Sequence, residues 1–299
     1  TGTITLSSVA QVDNFQSSYG PCDTTPFGLS ITGNAIINLS GLADLKTVRG
    51  NLDITDALQL TNYAGLANLQ AIEGRLLISQ SGWSNYVRSN YQIDMASLVS
   101  IGGNLDVSGD RTDRLTSMQF PVLESLGGTI NFNEVPSLSS ISLPVLTSVP
   151  GTLRINGVPI KNVDSFSNIT TIGGDLTIAN NSQLRQLDGF ASVTAIGGNV
   201  LLSNNDSMVD LHGLAALGVI TGSLNIEGNA ALRACGGVFT VLNASQVGGE
   251  ISIANNNTGC QSVDDVLATT GALPARAAYC YTTGTITLSS VAQVDNFQS

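Results

Sequence analysis

The stretch GGDLTIANNSQLRQLDGFASVTAI, residues 173–196, is followed at once by GGNVLLSNNDSMVDLHGLAALGVI, residues 197–220. Each opens on a glycine pair, and Leu176/Ile178 of the first align with Val200/Leu202 of the second. Apolar residues that alternate over a few positions mark a half-buried strand, because successive side chains point to opposite faces. A chain that returns to the same strand at such a short, steady period is a solenoid.

The pattern extends both ways. Glycines precede alternating segments at Gly50, Gly74, Gly103, Gly128 and Gly151, then at Gly174, Gly198, Gly222 and Gly249. The inward pairs run through Leu52/Ile54, Leu76/Ile78, Leu105/Val107, Ile130/Phe132 and Leu153/Ile155 to Leu224/Ile226 and Ile251/Ile253. Ile4/Leu6, Leu29/Ile31 and Ile286/Leu288 join them. Ahead of each glycine pair, apolar residues fall at every third position, as in Phe166, Ile169, Ile172 and Leu214, Leu217, Ile220. A new strand begins too soon for a long helix, so this spacing reads as tight turns or short 3₁₀ pieces. The recurrent glycines would permit positive φ where the chain enters the strand. The expected fold is an all-β solenoid, a β-helix of about 24-residue coils with parallel strands, in which each coil buries its apolar row against its neighbours.

Residues 1–17 and 283–299 are both TGTITLSSVAQVDNFQS. Diverged repeats lose their surface positions, and none is lost here. Three readings stand: a tandem array of near-identical units, an artificial join, or an overlap that reflects a polymer. The first and third imply a head-to-tail fibre. Residues 1–282 then form one unit of about 11 coils, and 283–299 begin the next. The chain starts at Thr1 without a charged-then-apolar leader, as expected of either a processed product or a window cut from something longer, and the repeated ends favour the window. The coil series shows no polar cap at either end.

The motif GG-x-L-x-I-x-x-N, followed by leucines at three-residue spacing, resembles the receptor L-domain type of leucine-rich repeat. Residues 115–174 are closest in style to the fungal sporulation-specific cell-wall surface family. The resemblance implies a right-handed solenoid at a cell surface. It extends across almost the whole chain, and the family it points to includes receptors, wall proteins and adhesins. LRACGGVF through ISIANNNTGC, with Cys235 and Cys260, is similar to the family's C-terminal cap. If Ser299 leads into the same residues as Ser17 does, the stretch from Cys280 onward is similar to its N-terminal cysteine cap.

Cys235 takes an inward position equivalent to Leu187 and Leu211, and Cys260 lies one coil further on. A bond between them would join adjacent coils. Cys280 is expected to pair with Cys22 of the following unit; a Cys260–Cys280 bond is the rival. A bond from Cys22 to Cys280 within one unit would have to span the solenoid's whole length. Disulfides place the protein outside the cytosol, extracellular or at the cell surface. Asn38, Asn168, Asn180, Asn205, Asn243 and Asn256 begin N-x-S/T sequons and are candidate glycosylation sites. Asn180, Asn205 and Asn256 fall near the same turn in different coils, where asparagines can hydrogen-bond as a ladder.

The chain of 299 residues carries 22 acidic and 11 basic side chains, a formal net charge of -11. That balance argues against nucleic acid and anionic membranes as partners. No apolar run approaches the length that spans a bilayer. One histidine and four cysteines argue against a His/Cys metal site, and Asp110, Asp113, Asp264 and Asp265 lack calcium-loop spacing. His212 occupies a position that is mostly polar in other coils. No catalytic, cofactor or metal residue is expected, so the chain reads as no enzyme. Asp53 and Asp106 lie two coils apart on the outward row, with nothing nearby to raise either pKa.

The longest coil holds SGWSNYVRSNYQ, residues 81–92. Trp83, Tyr86, Arg88 and Tyr91 are either a loop packed on the solenoid flank or a lateral interface or glycan patch. The leading functional expectation is a structural subunit of an extracellular filament or stalk, its partner being itself. A cell-surface adhesin or receptor-type binding module is the alternative.

Overall fold

The computed structural model describes residues 2–79, 90–109 and 114–268. Their backbone is dominated by one 11-stranded parallel sheet, with one strand from each coil. It begins at Thr3–Leu6 and Gly28–Thr32 and ends at Leu224–Glu227 and Ile251–Ala254. Each strand pairs with the strand one coil away, with like positions opposed: Leu52 with Leu76, Ile155 with Ile178, Leu202 with Ile226. The alternation fixes this register, since a one-residue slip would turn every inward side chain to solvent. The inward pairs from Leu6 to Ile226 are buried. Fully burying one such aliphatic side chain stabilises by about 1.5–3 kcal/mol. The chain is an all-β solenoid.

The other walls depart from the sequence reading in detail. The first apolar residue of the three-spaced run does close a 3₁₀ turn in five coils, among them Ala64–Leu66, Asp188–Phe190 and His212–Leu214. The last one instead lies in a two-residue strand, such as Ala71–Ile72 or Ala195–Ile196. These strands stack into two short parallel sheets. In three middle coils the 3₁₀ wall is replaced by a third sheet of Tyr91–Asp94, Leu115–Gln119 and Ser140–Ser142.

The recurrent glycines do not have positive φ; that conformation falls elsewhere, at Gly157, Gly228, Asp56 and Asn180 among others. They are glycines because the coils touch there. A Cβ on Gly50 would lie 2.6 Å from the Gly28 nitrogen, and one on Gly174 2.9 Å from the Gly151 carbonyl carbon. The contact carries a ladder of backbone bonds: Gly174 N–H to Gly151 O, Gly198 to Gly174 and Gly222 to Gly198, each 2.9 Å.

Short helices, unmarked in the sequence reading, close the flank at both ends of the described coils. Val9–Asp13 and Phe15–Tyr19 pack on the 3₁₀ turn Ser40–Leu42 and bury Val12 and Phe15. Ser8 caps the first, its Oγ accepting from Gln11 N–H at 3.3 Å. Phe239–Asn243 and Val263–Ala268 pack together beyond the turn Gly236–Val238. The helices form the flank walls of their own coils. Thr3–Leu6 and Ile251–Ala254 remain edge strands of the long sheet among the described residues.

The Cys235–Cys260 disulfide is formed, with Cα atoms 5.7 Å apart and both residues buried. Closing its loop stabilises by about 3 kcal/mol on a chain-entropy estimate. Reduction is therefore expected to loosen the last coils first. Amide exchange should rise in residues 232–260 before it rises in 115–222, and uniform exchange would contradict this.

Candidate functional site

The outward row of the long sheet is a regular surface of 11 positions in register. Strand register places Thr5, Ser30, Asp53 and Leu77 in line, followed by Asp106, Asn131, Arg154 and Thr177, then Leu201, Asn225 and Ser252. Asp53 and Asp106 flank Leu77 on this row. Asp53 is held by Arg75, with Nε to Oδ1 at 2.9 Å and Nη2 to Oδ2 at 3.3 Å. The hydrogen bond to Asp53 raises the Arg75 pKa above its usual value. The two-point ion pair is a surface rung that ties neighbouring coils together.

Two asparagine ladders run along the turn that leaves the long sheet. The inner one consists of Asn181, Asn205, Asn229 and Asn256, all buried. Oδ1 of Asn205 accepts from Asn181 N–H at 3.1 Å, and Oδ1 of Asn229 accepts from Asn205 N–H at 3.0 Å. Nδ2 of Asn205 donates to Ile178 O at 2.9 Å, and Nδ2 of Asn256 to Ile226 O at 2.8 Å. The outer ladder links Asn133, Asn156, Asn180 and Asn204, for example Asn180 Nδ2 to Asn156 Oδ1 at 2.7 Å. The sequence reading found the ladder but mixed members of its two lines.

This changes the standing of two sequons. Asn205 and Asn256 are core asparagines whose Nδ2 groups are engaged in the ladder, so a glycan there is incompatible with the fold. Asn168, Asn180 and Asn243 are exposed and Asn38 is half-buried. Asn168 Nδ2 donates to Pro144 O, and Asn38 Oδ1 accepts from Ser40 N–H at 3.0 Å.

Tyr91 is not part of a lateral surface. It lies buried in its strand with its ring stacked on Tyr63, centroids 5.6 Å apart. Trp83, Tyr86 and Arg88 lie outside the described residues, as do Cys280 and the repeated segment 283–299. Cys22 is half-buried and not disulfide-bonded among the described residues, and Gln16 brackets its backbone: Cys22 N–H donates to Oε1 and Nε2 donates to Cys22 O. His212 is exposed, its Nδ1 3.2 Å from Asp210 Oδ1.

A flank notch was not seen in the sequence. It is a cavity of about 310 Å³ between the strand Ser140–Ser142 and the 3₁₀ turn Asp164–Phe166. Gln119, Ser140 and Ser142 line one side, and Asn162, Asp164 and Ser165 the other. A second depression of about 600 Å³ adjoins it through Ser139 and Asn162.

Against known families, residues 22–103 and 147–209 match the receptor L domain. The chain is a receptor L-domain-like protein. The interval between the matched segments includes two of the three strands that replace the 3₁₀ wall, Leu115–Gln119 and Ser140–Ser142, while Tyr91–Asp94 lies in the first segment. No curated protein matches the chain. Receptor L domains are extracellular modules, and the Cys235–Cys260 bond fits an oxidising compartment. No helix among the described residues is long and apolar enough to cross a membrane.

Proposed function

We propose that this receptor L-domain-like chain is a structural subunit of an extracellular filament or stalk, in which solenoid units, each equivalent to positions 1–282, are joined head to tail. The observation that carries this reading is the unchanged repeat of residues 1–17 at 283–299. Recent duplication, or selection for identical units, leaves surface positions matched as well as core ones. The sheet supports it, since its first and last strands each keep one edge unpaired among the described residues. A parallel strand of a neighbouring unit fits either edge with the inward rows in line. In this reading Cys280 bonds Cys22 of the next unit and closes each junction. The chain has no catalytic role here, and the exposed sequons carry any glycans.

Electron microscopy of the native material tests this. Eleven coils at strand spacing predict fibres with an axial repeat of about 50 Å. Non-reducing peptide mapping should recover Cys280 linked to Cys22. Isolated particles of one unit's mass would overturn the filament. They would favour the second reading, a surface module that binds a ligand, which the receptor L-domain match supports.

A further inference from the structure

We infer that the flank notch is a binding site for a neutral sugar ring, independent of whether the units form a filament. Its origin lies in a mismatch between neighbouring coils. Where one 3₁₀ turn stacks on another, the middle residue is glycine, because its Cβ would strike the turn below. At Gly189 that atom would lie 1.7 Å from Val163 O, at Gly213 1.8 Å from Leu187 O, and at Gly237 1.6 Å from Leu211 O. The equivalent residue of the turn Asp164–Phe166 is Ser165. The coil beneath it runs as the strand Ser140–Ser142 instead of a 3₁₀ turn. Ser140–Ser142 pairs with Leu115–Gln119 on one side only, so its other edge faces the gap. A side chain is tolerated at Ser165 because the gap is real, and its hydroxyl lines it.

The lining suits a pyranose. Ile141, Ile160 and Phe166 lie buried beneath the notch, and the groups that reach its surface are mostly polar. Gln119, Ser140, Ser142 and Asn162 bring neutral amide and hydroxyl groups to the lining, the chemistry a hydroxyl-rich ligand needs. The one charged group of the notch is Asp164, so anionic ligands are disfavoured while hydroxyl donors are welcome. The volume sits at the small end of ligand sites, which commits it to about one ring. The adjoining depression, with Pro136, Pro159, Lys161 and Gln183, gives a longer sugar chain a path outward.

Saturation-transfer NMR with methyl mannoside, methyl glucoside and N-acetylglucosamine tests this on the full chain. Saturable binding of at least one is expected. Asn162→Ala should weaken it about tenfold, the effect of one lost hydrogen bond to a bound hydroxyl. Ser140→Trp, which fills the gap from an exposed position, should abolish it, and Thr177→Ala on the long sheet should leave it intact. All three variants are to be compared at matched melting temperature; should Ser140→Trp fail to fold, Asn162→Ala decides. Absence of binding to all three sugars, or binding that Asn162→Ala leaves unchanged, overturns the assignment.

Discussion

Ile178→Asp is expected to unfold the middle of the solenoid, while Thr177→Asp, one residue away, leaves it nearly unchanged. Ile178 is fully buried, opposite Ile155 and Leu202 in the coils on either side. The substitution loses an aliphatic side chain and places a carboxylate among apolar groups with no cation in reach. The two effects together cost about 4–5 kcal/mol or more, a large part of what holds a typical domain together. Thr177 is half-exposed on the opposite face, where its neighbour in register is Arg154. A carboxylate there is solvated and sits beside a guanidinium, so the change stays within about 0.5 kcal/mol. Thermal unfolding followed by circular dichroism reads the contrast. Because a solenoid's stability is a sum over coil interfaces, amide exchange should show the Ile178→Asp damage spreading from residues 153–203. Equal melting shifts for the two variants would refute the strand register.

That register was the part of the molecule most legible in the sequence, and the reason is physical. A strand buried on one face writes its orientation into every second residue, so each coil declares its own pairing without reference to the rest. The cysteine pair was legible on the same ground, since Cys235 stands where Leu187 and Leu211 stand. Features that belong to two coils at once were harder. Positive φ was the wrong account of the glycines because the collision that demands them is with the coil below, as Gly174 with Gly151 shows. Tyr91 looked like a surface aromatic because it comes just after an insertion, yet it packs on Tyr63 of the preceding coil. The helices Val9–Asp13 and Phe15–Tyr19 are too short to show a period, so only their burial of Val12 and Phe15 reveals them. The notch had a single signal, Ser165 in a column of glycines, and it becomes readable only once that column has been explained by close contact.

Asn205→Ala is expected to destabilise the protein by about 3–5 kcal/mol, far more than the removal of its exposed neighbour in the outer ladder. In the native turn the Asn205 side chain accepts from Asn181 N–H and Nδ2 at 3.1 and 3.2 Å. It donates to Ile178 O and Asn229 Oδ1 at 2.9 and 3.2 Å. All four partners belong to adjacent coils, and water cannot replace the side chain at a site with no exposure. Alanine thus strands at least one buried N–H and one buried C=O, at about 1–3 kcal/mol each, and leaves a small void as well. Asn180→Ala removes bonds to Asn156 and Asn204 at an exposed position where water can take them over, so its cost stays below about 1 kcal/mol. The apolar end of the solenoid supplies the control. Ala57 and Val135 are buried at the same place, each accepting the same turn bond from the residue three further on, Leu60 and Leu138, that Asn205 accepts from Met208. The turn itself therefore needs no asparagine, and Val135→Ala should cost about 1–3 kcal/mol, as deletion of two buried methyl groups does. Chemical denaturation of the three variants separates the contributions. A loss at Asn205 no larger than that at Val135 would mean that packing, and not the ladder, holds the C-terminal coils together.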